Sequence, residues 1–165
     1  MACEYIANAL QSVALNSPVI FNDSIPCGSG LIFHEDGTGV FQLRGVMRNN
    51  RRRCNCNCGC GVETRDYQVT FNGNIAVPDG GTVGPIALAI TVGGEPIESS
   101  RAIFTPAAVN EYGNVTVTKV IKVPCGCCPS VAVEYVNGSV NDPTFVPTPV
   151  INVVNSNLVI DPDFD

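Results

Sequence analysis

Cysteine is the residue type in this sequence whose spacing suggests chemistry. The chain has 165 residues and nine cysteines. Seven of the cysteines fall in two short clusters, which are Cys54, Cys56, Cys58 and Cys60 in the first and Cys125, Cys127 and Cys128 in the second. Thiols at this spacing can form disulfides, bind a metal ion as thiolates, or stay free. The odd total leaves at least one thiol free or bonded to another chain.

The spacing within the clusters favours disulfides but leaves the other two alternatives open. A bridge within or between two such loops contributes about 2–4 kcal/mol to the stability of a small domain. Structural zinc sites prefer two to four residues between paired cysteines. The first cluster has one residue between neighbours, which is more typical of a thiolate-rich cluster that the second cluster would complete. We therefore expect no cofactor, with a metal cluster on these seven cysteines as the alternative and free thiols without a role as the third.

No other residue pattern points to catalysis, and we predict that the chain is not an enzyme and has no catalytic residue. His34 is the only histidine, and Glu35 and Asp36 adjoin it in a sequence typical of a hairpin turn. A cysteine nucleophile would need His34 as its base. The sequence contains neither a phosphate-binding loop nor a dinucleotide-binding fingerprint.

Charge and hydropathy narrow the expected partners. The net charge of −6 argues against nucleic-acid binding. No stretch approaches the roughly 20 apolar residues of a membrane helix, so we expect no membrane partner. The one basic concentration consists of Arg48, Arg51, Arg52 and Arg53. These arginines predict a solvated loop. The more specific alternative is a contact with an acidic partner, such as a capsid face or a glycan with carboxylates.

The N-terminus has no positively charged segment before its apolar residues, so it does not resemble a secretory signal. We expect synthesis in the cytoplasm, or removal of a signal from the sequence. Cysteine content is nevertheless high for a cytosolic protein. A particle that assembles in the cytoplasm and is released later would reconcile the two observations.

The elements that must position the cysteines are β-strands. The chain is 45% hydrophobic and 15% charged, with 16 glycines and 12 prolines, which is typical of an all-β domain with many turns. Alternating apolar residues predict eight to ten short strands, as in a sandwich or jelly roll. Residues 111–136 predict two strands joined by a cysteine-containing turn at 124–129. The long loop at 44–65 is expected to be functional or cross-linked.

The order of these strands resembles the jelly roll of the tumour-necrosis-factor and complement globular-head superfamily. The segments that show it are YQVTFNGNI, GPIALAITVGGEPI, EYGNVTVTKVIKVP, VAVEYVNGS and VINVVNSNLVI. The bacterial members at the C-terminus of collagen-like exosporium proteins are similar. Small proteins of gut phages and prophages are more similar to this chain than the exosporium proteins are. They share its MACxYIANALQ-like start and its TVGPIALAI strand. The chain departs from the family by having no collagen stalk and by its Arg/Cys-containing insertion.

The resemblance implies a single antiparallel jelly roll that forms trimers. The resemblance covers residues 10–160, which we expect to be the jelly-roll domain, and the residues outside it predict an N-terminal arm at 1–9 and an acidic tail at 161–165. Candidates for the trimer interface are Tyr67, Val69, Phe71, Tyr112 and Tyr135, some of which must instead be core. The resemblance also implies that the loop after Leu43 and the turn at 124–129 lie at one end of the barrel, which would make the seven clustered cysteines neighbours.

The function that the resemblance implies is structural. The expected role is a capsid decoration or head-fibre protein of a bacteriophage virion, attached through residues 1–9. Its partners would be the major capsid protein or another virion protein, with a host-surface glycan as a further partner. One alternative is a trimerisation domain on a bacterial cell or spore surface. The other is a receptor- or glycan-binding module whose specificity lies in loops at the end of the barrel.

Overall fold

Two antiparallel sheets pack face to face in the computed structural model, which describes residues 1–25, 27–28, 30–46 and 63–162. Sheet A contains, in spatial order, β10 (Gly113–Pro124), β6 (Thr64–Ala76), β12 (Val150–Pro162), β1 (Cys3–Ala7) and β3 (Asp23–Ile25), with β2 (Gln11–Ala14) also pairing with β12. Sheet B contains β4 (Ile32–His34), β5 (Phe41–Leu43), β11 (Ser130–Asn137), β7 (Ile86–Val92) and β8 (Glu95–Pro96), with β9 (Ala102–Phe104) also pairing with β7. The predicted all-β antiparallel jelly roll is confirmed.

Alternation along the strands explains the core between the sheets. In β6, Tyr67, Val69 and Phe71 are fully buried, while Gln68 and Thr70 between them are not. Side chains two residues apart lie on the same face of a strand, so one apolar set enters the core. The helical content described is a single 3₁₀ turn at Glu98–Ser100, and no helix of the described residues is long and apolar enough to cross a membrane.

The prediction of a trimer interface on core-facing residues is wrong for four of the five candidates. Tyr67, Val69, Phe71 and Tyr135 have no exposed surface in the single chain. The period-two pattern shows that such residues share a face, but it does not distinguish a core from a subunit interface. Tyr112, which is 43% exposed, is the candidate that stays available to a partner chain.

The segment predicted as an N-terminal arm is largely part of sheet A. Residues Cys3–Ala7 form β1, which pairs with β12 from Cys3↔Ile160 to Ala7↔Ser156 and also with β3. Cys3, Tyr5 and Ala7 alternate into the core, so burial rather than attachment explains their spacing. The predicted start of the acidic tail is corrected in the same way, since β12 continues through Asp161 to Pro162.

An irregularity in β12 accommodates the break between β1 and β2. The register with β6 shifts between Val154 and Asn157, and Asn155 has a φ of 50°. An extra residue of this kind bends a strand and locally disrupts its pairing. The next residue, Ser156, is buried and donates its hydroxyl hydrogen to the carbonyl of Ala7. Asn155 and Ser156 therefore form a β-bulge in β12.

Candidate functional site

The cysteine-containing turn between β10 and β11 is a tight turn closed by a backbone hydrogen bond. The amide of Cys127 donates to the carbonyl of Pro124 over 3.0 Å. Gly126, at the third position, has a φ of 75°, which glycine adopts without the strain that a side chain would add. The sequence places glycine where the turn requires it, so the flanking cysteines are held in fixed positions.

Both chain segments that border residues 47–62 bond to this turn. The amide of Gly45 donates to the carbonyl of Cys127 and the amide of Gly126 donates to that of Val46, each over 2.9 Å. On the other border, the amide of Cys125 donates to the carbonyl of Glu63 over 3.0 Å. The prediction that the β5–β6 and β10–β11 connections share one end is thus confirmed. Cys54, Cys56, Cys58 and Cys60 themselves lie outside the described residues.

Gly45 allows the closest of these approaches. A Cβ atom at position 45 would lie 2.1 Å from the carbonyl oxygen of Pro124, far inside van der Waals contact. Glycine is therefore needed because the two backbones touch, and not because of its φ. This contact fixes the start of the 47–62 segment against the turn.

Disulfides reinforce the same end of the barrel, which we call the cysteine end. Cys3 on β1 is bonded to Cys27, with a Cα–Cα distance of 4.9 Å. Cys125, Cys127 and Cys128 are disulfide-bonded as well. Sequence reasoning missed the Cys3–Cys27 bridge. A signal existed, because setting aside the seven clustered cysteines leaves only these two.

The metal alternative depends on a thiolate state that these bonds remove. A metal ion needs deprotonated thiols as ligands, and Cys125, Cys127 and Cys128 are in disulfides. Within the described ranges, no group of three or more potential ligands lies close enough to hold a metal ion. A metal cluster that includes Cys125, Cys127 and Cys128 would therefore require the reduction of these three cysteines.

Hydrogen bonds fasten the remaining backbone at the cysteine end. The hydroxyl of Tyr67 donates to the carbonyl of Arg44 over 2.5 Å and lies 3.3 Å from the carbonyl oxygen of Leu31. The guanidinium of Arg44 donates to the carbonyl of Gly30 over 3.2 Å. Arg44 therefore holds the chain itself, whereas the predicted partner-binding residues Arg48, Arg51, Arg52 and Arg53 lie outside the described residues.

The His34 ring packs against core aromatic residues, and its Nδ1 lies 3.9 Å from a carboxylate oxygen of the exposed Asp36. The His34 ring stacks on Phe41 with a centroid distance of 4.3 Å and meets the edge of Tyr5 at 5.0 Å. Nε2 lies 3.0 Å from the carbonyl oxygen of Thr38, which occupies that nitrogen. Burial raises the pKa of Tyr5 above its ordinary value. The three rings form an aromatic cluster between β1, β4 and β5.

The outward face of sheet A carries a ladder of polar side chains across β6 and β10. Asn72 donates to Thr116 over 2.8 Å, and Asn114 donates to Asn72 over 3.1 Å. One step along, Thr70 and Thr118 bond over 3.1 Å. Cross-strand pairs of this kind fix the register of a sheet. The face continues past the exposed Val120 of β10 to an ion pair between Lys122 and Asp66, whose charged atoms are 2.9 Å apart.

Comparison with solved structures identifies the fold. The globular domain of zebrafish complement 1qA protein is 16% identical to this chain with a TM-score of 0.52, and the alignment covers 96% of this chain and 94% of that one. The Eiger TNF from S. frugiperda is 9% identical with a TM-score of 0.57, covering 100% and 92%. No protein-family model and no curated protein sequence matches the chain.

A third structure, the PRD1 vertex protein P5, is 12% identical and covers 99% of this chain and 96% of that one. Its TM-score of 0.42 is too low to support an inference about this protein. At these identities the first two likenesses show the fold, which is a jelly roll like those of complement globular heads and tumour necrosis factors, and nothing of the function.

Proposed function

We propose that this chain is a non-enzymatic structural protein that works as a homotrimer, as a decoration or head-fibre component on the outside of a bacteriophage capsid. The observation that supports it most directly is the fastened cysteine end, where disulfides and backbone hydrogen bonds tie five separate chain segments together. Cross-links of this kind suit a small domain that must stay folded outside a cell.

The cysteine end also suits attachment. The terminal ammonium of Met1 lies 3.9 Å from a carboxylate oxygen of Asp161, so the start of the chain and the end of β12 meet there. With β1 inside the sheet, attachment falls to the surface around the termini and to the arginines at 48–53, and not to a free arm. An acidic face of the major capsid protein or of another virion protein is the partner that we infer.

The trimer must use surface that one chain leaves exposed. Val120 lies on β10, the edge strand of sheet A, and Tyr112 immediately precedes this strand. They are 45% and 43% exposed, respectively. The polar ladder of β6 and β10 adjoins this edge. Burial of the apolar side chains would contribute about 25 cal/mol per Å² before the costs of association.

Light scattering on the purified chain tests the trimer. We expect a mass three times that of the 17.4 kDa chain at micromolar concentration. Val120→Ser should shift the trimer towards monomer, whereas Leu10→Ser, at an exposed residue outside this face, should not. A strict monomer at micromolar concentration contradicts the trimer.

Particle fractionation tests the location. Lysates of bacteria that carry the gene are separated on a density gradient, and the chain is quantified by mass spectrometry in virions and in envelope fractions. We expect it in virions, in a constant ratio to the major capsid protein. Recovery with cell envelopes or spores alone would support the bacterial surface role instead.

The pairing of the clustered cysteines is part of the same proposal. We infer that Cys125, Cys127 and Cys128 bond to cysteines of the 54–60 cluster, because both borders of residues 47–62 meet the turn. Peptide mapping without reductant should recover linked peptides from the two clusters. Zinc or iron at two or more equivalents per chain would contradict this pairing.

A further inference from the structure

Three loops at the end of the barrel opposite the cysteines form one continuous surface, which we call the distal loops. They are residues 77–85, 105–112 and 138–149. The amide of Asn110 donates to the carbonyl of Val77 over 2.7 Å. On the other side, Gly84 lies so close to Phe145 that an added Cβ would be 2.4 Å from its ring. The first loop is therefore in contact with both of the others.

Large apolar side chains project from all three loops into solvent. Their exposed fractions are 42% for Val83, 43% for Tyr112, 56% for Val140 and 73% for Val146. Single exposed apolar residues are ordinary, but several on neighbouring loops are typical of an interaction site. None of the four is needed to cover the core, since the buried set lies between the sheets.

Carboxylates alternate with these apolar groups, and cations are absent from the loop sequences. The three loops contain Asp79, Glu111 and Asp142 but no lysine, arginine or histidine. In the described part of the chain, none of the three acids forms an ion pair. Their negative charge is therefore not compensated within the described structure.

Neutral donors hold each carboxylate in place. Asp79 accepts from the amide side chain of Asn110 over 2.9 Å. Glu111 accepts from the backbone amides of Ala107 and Ala108 over 2.7 and 3.2 Å. Asp142 accepts from the hydroxyl of Thr144 over 2.6 Å, and the hydrogen bonds from Thr144 lower the pKa of Asp142. The three carboxylates are thus oriented before any partner arrives.

We propose that the distal loops are a docking surface for a protein segment in which lysine or arginine alternates with apolar residues. Fixed carboxylates complement the cations and steer association, while the valines and Tyr112 supply apolar contact. A second copy of the distal loops does not fit, because it would bring like charges together. Tyr112 also belongs to the proposed trimer face, but Val83, Val140 and Val146 do not, so the docking surface does not depend on the trimer or on the virion.

The test is a selection from a displayed library of random 15-residue peptides against the full chain. We expect the recovered sequences to be enriched in Lys and Arg next to Leu, Val or aromatic residues. One recovered peptide is then synthesised, and its affinity is measured by fluorescence anisotropy. Its binding site is located by amide shifts in ¹⁵N-labelled protein.

Matched variants separate docking from general charge attraction. Val146→Ser and Asp142→Asn should each weaken binding about tenfold, as expected for loss of an apolar or charged contact. Ile25→Ser, at a 54% exposed residue of β3, and Asp66→Asn, at an acid on β6, should leave the affinity unchanged. All four positions are exposed or partly exposed, so folding should be preserved and is checked by circular dichroism.

Three results would overturn the proposal. The first is enrichment of acidic or purely polar peptides. The second is amide shifts confined to the cysteine end or to the ladder face of sheet A. The third is binding to a glycan array that maps to the distal loops and is unaffected by Asp142→Asn, which would assign them to a carbohydrate.

Discussion

The two ends of this barrel use their polar groups in opposite ways. At the cysteine end, backbone amides, the Tyr67 hydroxyl and the Arg44 guanidinium bond to the chain itself, and sulfur atoms form covalent links. At the distal loops, carboxylates and valines face solvent without compensating cations. Polar groups that are satisfied internally stabilise a fold, whereas uncompensated charge and exposed apolar area favour partners. The difference suggests that one end maintains the structure and the other is available for recognition.

Removal of the Cys3–Cys27 bridge should have the largest effect on stability. The bond closes a loop across 24 residues, and its loss in Cys3→Ala/Cys27→Ala should cost about 3–4 kcal/mol. Guanidinium unfolding measures the difference. As a control, dithiothreitol should lower the midpoint of the wild type further than that of this variant. An unchanged midpoint after the double substitution would mean that hydrogen bonds alone fasten the cysteine end.

A pair of glycine substitutions compares the two ends directly. Gly45→Ala places a methyl group 2.1 Å from the carbonyl oxygen of Pro124, and the forced displacement should cost about 3 kcal/mol. At the distal loops, Gly80 has a φ of +79° with nothing within 4 Å of an added Cβ, so Gly80→Ala should cost only about 1 kcal/mol. Thermal unfolding of both variants measures the two losses of stability. Equal losses would contradict the tight packing inferred at the cysteine end.

Tyr67 and Tyr135, the two tyrosines with no exposed surface in the described chain, provide a smaller contrast in stability. The hydroxyl of Tyr135 donates to the carbonyl of Thr148 over 2.6 Å. Thr148 is fully buried, and its carbonyl accepts no other hydrogen bond in the described structure. Tyr135→Phe should therefore cost about 2 kcal/mol. Tyr67→Phe should cost about 1 kcal/mol, because its acceptor is the carbonyl of Arg44, a partly exposed residue where water can replace the hydroxyl. Urea unfolding measures both, and a larger loss for Tyr67 would reverse the expected order.

Of the predicted changes in stability, the one caused by alkaline pH should be the smallest. Burial raises the pKa of Tyr135 from 10.0 to about 12, so the unfolded chain loses the phenolic proton first. The stability that this tyrosine contributes is complete below pH 10 and is lost as the pH rises towards 12. Tyr135→Phe should flatten this part of the stability profile relative to Tyr67→Phe. Profiles of the two variants that fall equally steeply would assign the alkaline loss to other groups.

Much of the fold and part of the cysteine site followed from local patterns. Alternating apolar residues predicted the long strands, and Pro124, Gly126 and Pro129 predicted the turn between β10 and β11. The placement of both cysteine-rich connections at one end followed from the resemblance and the strand order. The arginines and cysteines of residues 48–60 stay predictions, because they lie outside the described residues.

The errors have one physical origin, which is that a strand pattern gives two faces without saying what covers each. Tyr67, Val69 and Phe71 share a face by their period of two, but only the packing of sheet B on sheet A shows that this face is the core. Residues 1–9 were assigned to an arm because a five-residue strand is too short to be distinctive. Pairing with β12, some 150 residues later, is what places it in the sheet.

The sequence by itself determined the all-β class, the tight turn at 124–129 and the concentration of cysteines, because these depend on residues close together in the chain. Tertiary structure alone decided that Cys3 meets Cys27, that the borders of residues 47–62 meet the turn, and that three distant loops form one surface. Contacts between residues far apart in sequence depend on how the sheets pack and register, and local patterns do not encode that arrangement.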